Sequence, residues 1–109
     1  MPELQKTLAE TGEYDFIRHI KKIAGTVSSD KVIRSIGDDC LAAASFGDDL
    51  TIVTVDTFVE NIHFKTEYSS IRLIGKRCMS ASVSDIAAMS GLPQYSLVSL
   101  SLPPQMLLD

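Results

Sequence analysis

A chain of 109 residues, 45% of them apolar, has the size of one domain and enough hydrophobic side chains for a core. Its 14 acidic and 10 basic residues leave a net charge of −4, which argues weakly against a nucleic-acid or anionic-membrane surface, since both want clustered Lys and Arg. The two cysteines, Cys40 and Cys78, lack zinc spacing, nothing forces them to pair, and they read as small buried residues in a reducing compartment, so a cytoplasmic protein is expected.

Taken in order, residues 1–11 read as a loose leader without the apolar core of a signal peptide, and the domain is expected over residues 12–109. Thr11-Gly12-Glu13 opens a helical pattern in which Phe16, Ile17, Ile20, Ile23 and Ala24 share one face, and Gly25 is a natural stop. Lys31 to Ser35 suits a short strand or an extended lead into Gly37. Leu41 to Phe46 and Leu50 to Asp56 read as two strands around the turn signal Gly47-Asp48-Asp49, hence a hairpin. Ser69 or Ser70 can cap a long helix to about Ser90, with Ile71, Ile74, Cys78, Val83, Ile86 and Met89 on its apolar face. Gly91 ends that helix, Tyr95 to Leu102 reads as a further strand, and residues 103–109 look like the start of another helix with Pro104 in its first turn. No apolar run reaches the ~18 residues of a membrane span. The order α-β-β-α-β predicts an α+β fold, a mainly antiparallel sheet with helices packed on one face.

Three acidic places could carry chemistry. Gly37-Asp38-Asp39 is either a solvated turn or a pair of metal-binding carboxylates, since Gly37 permits a turn that other residues resist. Gly47-Asp48-Asp49 has the same letters at a hairpin tip and reads only as a turn. Asp56 ends an apolar strand, where a carboxylate is either a cap or a ligand on a rigid support. Asp85 is the most unusual: aspartate is a poor residue inside a helix, and here it sits among Ala and Ser, sharing a face with Ser82 three residues before it. It is either a simple hydrogen-bonded acid or a functional one. His63 beside Phe64 is a weak signal alone. Neither GxxxxGK[ST], GxGxxG, GxSxG nor HExxH occurs, so a nucleotide would have to be held through metal-bridged phosphates rather than a glycine cradle.

In sequence order the pieces GEYDFIRHI, SIGDDC, VTVDTFVENIHF, GKRCMSASVSDIAAMSGLP and SLSLP closely resemble the N-terminal half of the thiamine-monophosphate kinase family, within the superfamily of aminoimidazole-ribonucleotide synthetase. The resemblance runs from Gly12 to Pro103. It implies ATP-dependent phosphorylation of thiamine monophosphate to thiamine diphosphate, with Mg2+ held by aspartates. Asp39, Asp56 and Asp85 fall at metal-ligating positions and Thr54 at a hydroxyl position of the same metal site. Asp38, Asp39 and Asp85 fall at the nucleotide site, and His63 at the substrate. The resemblance also implies a homodimer in which strands of this domain join those of a partner. Ser82 stands where the family has Asn, Val55 where it has Thr, Ser35 where it has Gly, and Ser90-Gly91 where it has Gly-Ala. Family members continue into a further metal-binding motif and a second α/β domain, so these 109 residues alone are expected to be inactive. Rival expectations are another ATP-using activity of the superfamily, of the hydrogenase-maturation or aminoimidazole-ribonucleotide synthetase type, and a non-catalytic dimerisation domain.

Overall fold

The computed structural model describes residues 6–25 and 29–107. Its elements are helices α1 (Leu8–Thr11) and α2 (Glu13–Ala24), strands β1 (Val32–Arg34), β2 (Leu41–Ala44) and β3 (Leu50–Val53), and helix α3 (Ile71–Ala88). The α+β class is as expected, and residues 6–11 of the expected leader include the short helix α1. Within it, the backbone N–H and hydroxyl of Thr7 both donate to the Glu10 carboxylate, at 2.9 and 2.8 Å, closing the single turn of α1. Glycines bound α2, with Glu13 and Asp15 in its first turn and Lys21 and Lys22 in its last, each sign favoured by the helix dipole. Its apolar stripe stays largely open, only Ile17 being half-buried.

The three strands form one antiparallel sheet in the order β1-β2-β3. The β2–β3 hairpin pairs Leu41 with Val53 and Ala42 with Ile52, and closes where Ser45 N–H donates to Asp49 C=O at 3.0 Å. This confirms Gly47-Asp48-Asp49 as a turn, and Gly47 takes the left-handed φ of 66° that the tip requires. Cys40, just ahead of β2, and Ala42 on it are buried, whereas Leu41 between them is exposed. The hairpin approaches the end of α3 through Ile52.

Ser70 caps α3, its Oγ accepting from Leu73 N–H at 3.3 Å. Of the expected apolar face, Ile74 is buried and Cys78, Ile86 and Met89 are half-buried, while Ile71 and Val83 remain exposed. The far end closes with two reversed hydrogen bonds, Gly91 N–H to Ile86 C=O and Ser90 N–H to Ala87 C=O, both 2.9 Å, which is the Schellman arrangement. The left-handed residue of that motif is Ser90, with φ 58°, rather than the glycine beside it. Gly91 is needed for another reason. A Cβ there would stand 3.0 Å from both Ile52 Cδ1 and Ile86 Cγ2, so the end of α3 approaches the sheet closely here.

Two expectations are corrected. Residues 95–102 form no strand. Their β-favouring side chains find no pairing edge among the described residues, and an extended segment without a partner has no ladder to join. Residues 103–107 make only a single turn, closed by Met106 N–H on Pro103 C=O at 3.1 Å; residues 108–109 of the expected helix lie outside the described residues.

Candidate functional site

The site lies on the seam between the end of β3 and the C-terminal half of α3. Ile52, Thr54 and Asp56, spaced by two along the chain, all meet α3. Ile52 approaches Ile86 at the Gly91 corner. Thr54 Oγ1 donates to Asp85 Oδ2 at 2.9 Å. Asp56 Oδ2 accepts from Ser82 Oγ at 2.8 Å. The partners Ser82, Asp85 and Ile86 follow the i, i+3, i+4 rule of one helix face. The pattern TIVTVD therefore places an apolar, a hydroxyl and a carboxylate side chain in turn against the helix, and leaves Val53 and Val55 on the exposed side, Val55 at 88%.

Asp39 joins from the bend ahead of β2. Thr54 Oγ1 also reaches the Asp39 carbonyl, at 3.4 Å, so one hydroxyl touches both Asp39 and Asp85. The Asp38 carboxylate accepts from the N–H of the next residue, Asp39, at 3.1 Å, and lies 3.8 Å from the Arg34 guanidinium. Asp38, Asp39 and Thr54 line an open cleft of about 380 Å³ with Ser35, Cys40 and Val55 among its walls. Gly37, at φ 106°, makes the bend that brings the two aspartates there, and the Lys21 ammonium would stand 3.8 Å from a Cβ at that position. A second open groove of about 430 Å³, between Lys76 and Ala87 on α3, contains none of the predicted site residues.

The buried Cys40 thiol reports on the local field. Burial raises its pKa first, and the charges of Asp85, Asp39 and Asp38 push the same way, against a hydrogen bond with Thr54. Three separate acids thus act on one interior point. Asp85 itself is only part-buried, with Thr54 as its donor, which explains how a carboxylate is tolerated on a close-packed helix face.

His63 is held apart from the acids. Its Nδ1 accepts from Val59 N–H at 2.9 Å, and its own N–H returns to the Val59 carbonyl at 2.9 Å. The ring packs against Phe58 with centroids 5.6 Å apart. A neutral ring whose Nδ1 accepts carries its proton on Nε2, so the loop presents a hydrogen-bond donor. Among the described residues, no hydrogen bond ties His63 to Asp39, Asp56 or Asp85.

All candidate metal ligands are oxygen donors, which suits a hard cation. Among the described residues, no three His, Cys, Asp or Glu side chains gather as a metal cage. Magnesium does not require one: it is usually held by one or two carboxylates, with water and substrate phosphate completing the octahedron. The Asp85 carboxylate and the Asp39 main-chain carbonyl, which both meet the Thr54 hydroxyl, are oxygen donors of the kind magnesium accepts. The sequence reading missed two participants. Ser82, noted as a neighbour of Asp85 and as standing where the resembled family has Asn, is the partner of Asp56, and its place on the shared helix face was the available signal. Arg34, four residues before Asp38, gave no signal, because the bend at Gly37 that joins them is tertiary detail.

The thiamine-monophosphate kinase of Bacillus subtilis is 42% identical over 91 residues, covering 84% of this chain and 27% of the kinase. That of Aquifex aeolicus is 36% identical, covering 88% of this chain and 28% of the relative; that of Methanocaldococcus jannaschii is 34% identical over 83% and 28%. The chain thus spans under a third of the length of these curated relatives. No solved structure matches it significantly. A family model described as AIR synthase related protein, N-terminal domain, matches residues 37–109, from the bend at Gly37 through the whole strand–helix seam. The chain belongs to this family of AIR synthase related N-terminal domains.

Proposed function

We propose that this chain is the metal- and nucleotide-binding part of a thiamine-monophosphate kinase, which transfers a phosphoryl group from ATP to thiamine monophosphate to give thiamine diphosphate. The observation that carries the reading is the Thr54 hydroxyl between the Asp39 carbonyl and the Asp85 carboxylate, in a chain similar over most of its length to relatives that bear that name. Magnesium, when bound, supplies charge neutralisation of the phosphates. Asp39, Asp56 and Asp85 would hold it, with Thr54 beside them, and Asp38 would stand on the nucleotide side. Thr54 orients Asp85, and the fixed tautomer of His63 leaves Nε2–H for the phosphate of the acceptor. Phosphoryl transfer needs chiefly this positioning and charge control. In this reading residues 12–109 form the N-terminal domain of a cytoplasmic homodimer, with the open apolar segment 95–102 contributing to the contact.

The test is a chimera in which this chain replaces the matching segment of the Bacillus subtilis kinase. It should form thiamine diphosphate from ATP and thiamine monophosphate. Asp85→Asn in the chimera should lower kcat by about 100-fold or more, the scale of losing a group that stabilises transferring charge. His63→Ala should raise KM for thiamine monophosphate and leave that for ATP nearly unchanged. A folded chimera that binds both substrates and forms no product would refute the assignment.

A further inference from the structure

The seam carries two hydroxyl–carboxylate bonds of opposite sense. From the strand side, Thr54 donates to Asp85 on the helix. From the helix side, Ser82 donates to Asp56 on the strand. In both, the acceptor is Oδ2, and among the described residues no hydrogen bond reaches either Oδ1. Ser82 does not behave as serines inside helices ordinarily do. Ser84, two residues on, bonds back to the Ala81 carbonyl at 2.7 Å, the usual local choice. Ser82 instead reaches across 26 residues of sequence to Asp56. Among the described residues, no Lys or Arg pairs with Asp56, and Ser82 is its one side-chain hydrogen-bond partner.

An exposed aspartate with no partner samples several rotamers, and a ligand must then freeze one of them. A single short donor on a rigid helix removes that cost in advance. We propose that Ser82 is a positioning residue that holds the Asp56 carboxylate by Oδ2 and leaves Oδ1 to a hard divalent cation, as Thr54 does for Asp85. This inference rests on the reading of Asp56 as a metal ligand.

Mn2+ serves as the probe, titrated by electron paramagnetic resonance into this chain and its variants, with thermal unfolding recorded for each. Ser82→Ala should weaken Mn2+ binding by about tenfold, the low end for losing the partner of a metal ligand, with an unfolding midpoint at or above that of the parent, since alanine favours the helix. Ser82→Thr keeps the hydroxyl and should bind within about twofold of the parent, by the same reasoning. In an Asp56→Asn background, Ser82→Ala should cost nothing further, because the two residues act as one unit. Parent-like binding by Ser82→Ala, or equal losses in the Ala and Thr variants, would overturn the inference and leave the metal reading standing. Failure of the parent chain to bind Mn2+ at all would overturn both.

Discussion

Cys40 is buried beside Thr54, and its thiol experiences both desolvation and the charges of Asp85, Asp39 and Asp38. Each disfavours the thiolate, so the folded thiol keeps its proton to a higher pH than the ordinary value of 9.0. An acid whose folded pKa is raised contributes stability that is complete below its unfolded pKa and is lost as pH rises through the folded value. In metal-free buffer the urea midpoint should therefore fall as pH is taken above about 9, and Cys40→Ala should flatten that fall. A slope unchanged by the substitution would mean that the thiol is not the titrating group. Sequence alone read Cys40 as a small buried residue, and it is one. Its electrostatic setting was not legible, because Asp85 lies 45 positions away and reaches it only through the packing of α3. The aspartates themselves were legible as unusual, since each breaks an apolar pattern. What each one touches depended on the fold, and for Asp56 and Asp85 the answer is a hydroxyl from the opposite element.

The helices and the hairpin could be read from local signals: glycines at both ends of α2, Ser70 ahead of α3, and a turn triplet between two apolar runs. The far end of α3 could be read only in part. Gly91 has the look of a left-handed terminator, yet that conformation belongs to Ser90, and Gly91 is glycine because Ile52 and Ile86 leave no room. The two positions should respond in opposite ways. Ser90→Gly relieves the left-handed strain and should stabilise the chain by about 0.5 kcal/mol, net of the added freedom of the unfolded state. Gly91→Ala forces a methyl against two isoleucine side chains and the Ile86 carbonyl, 3.2 Å from the new atom. It should cost about 1–3 kcal/mol, as overpacking does. Chemical denaturation of the two variants checks both signs. A stabilising Gly91→Ala would mean that α3 does not approach the sheet at this corner, and would loosen the link from Ile52 to the Thr54 and Asp56 seam.

At the scale of the molecule the chain is open. Its radius of gyration is 18.0 Å, against ~13 Å for a compact domain of this length. Among the described residues the buried apolar side chains are Cys40, Ala42 and Ile74. The segment from Leu92 to Leu102 holds much of the uncovered surface, with Tyr95 and Leu97 almost wholly exposed and Val98 and Leu100 mostly so. The sequence announced this segment as a strand through its β-favouring residues, but strand formation needs a partner edge, and propensity cannot supply one. An apolar, extended, unpaired segment is a template for pairing with another chain. This chain should therefore self-associate, and sedimentation at about 100 µM, a concentration at which exposed strand edges commonly pair, should show a species heavier than the monomer. Replacing Leu97 and Leu100 by Lys places charge on that segment and should shift the distribution towards monomer, with helix content by circular dichroism unchanged, since neither residue contributes to α1, α2 or α3. A parent chain that stays monomeric at that concentration would show that the segment is not an association edge, and would count against a homodimer built through it.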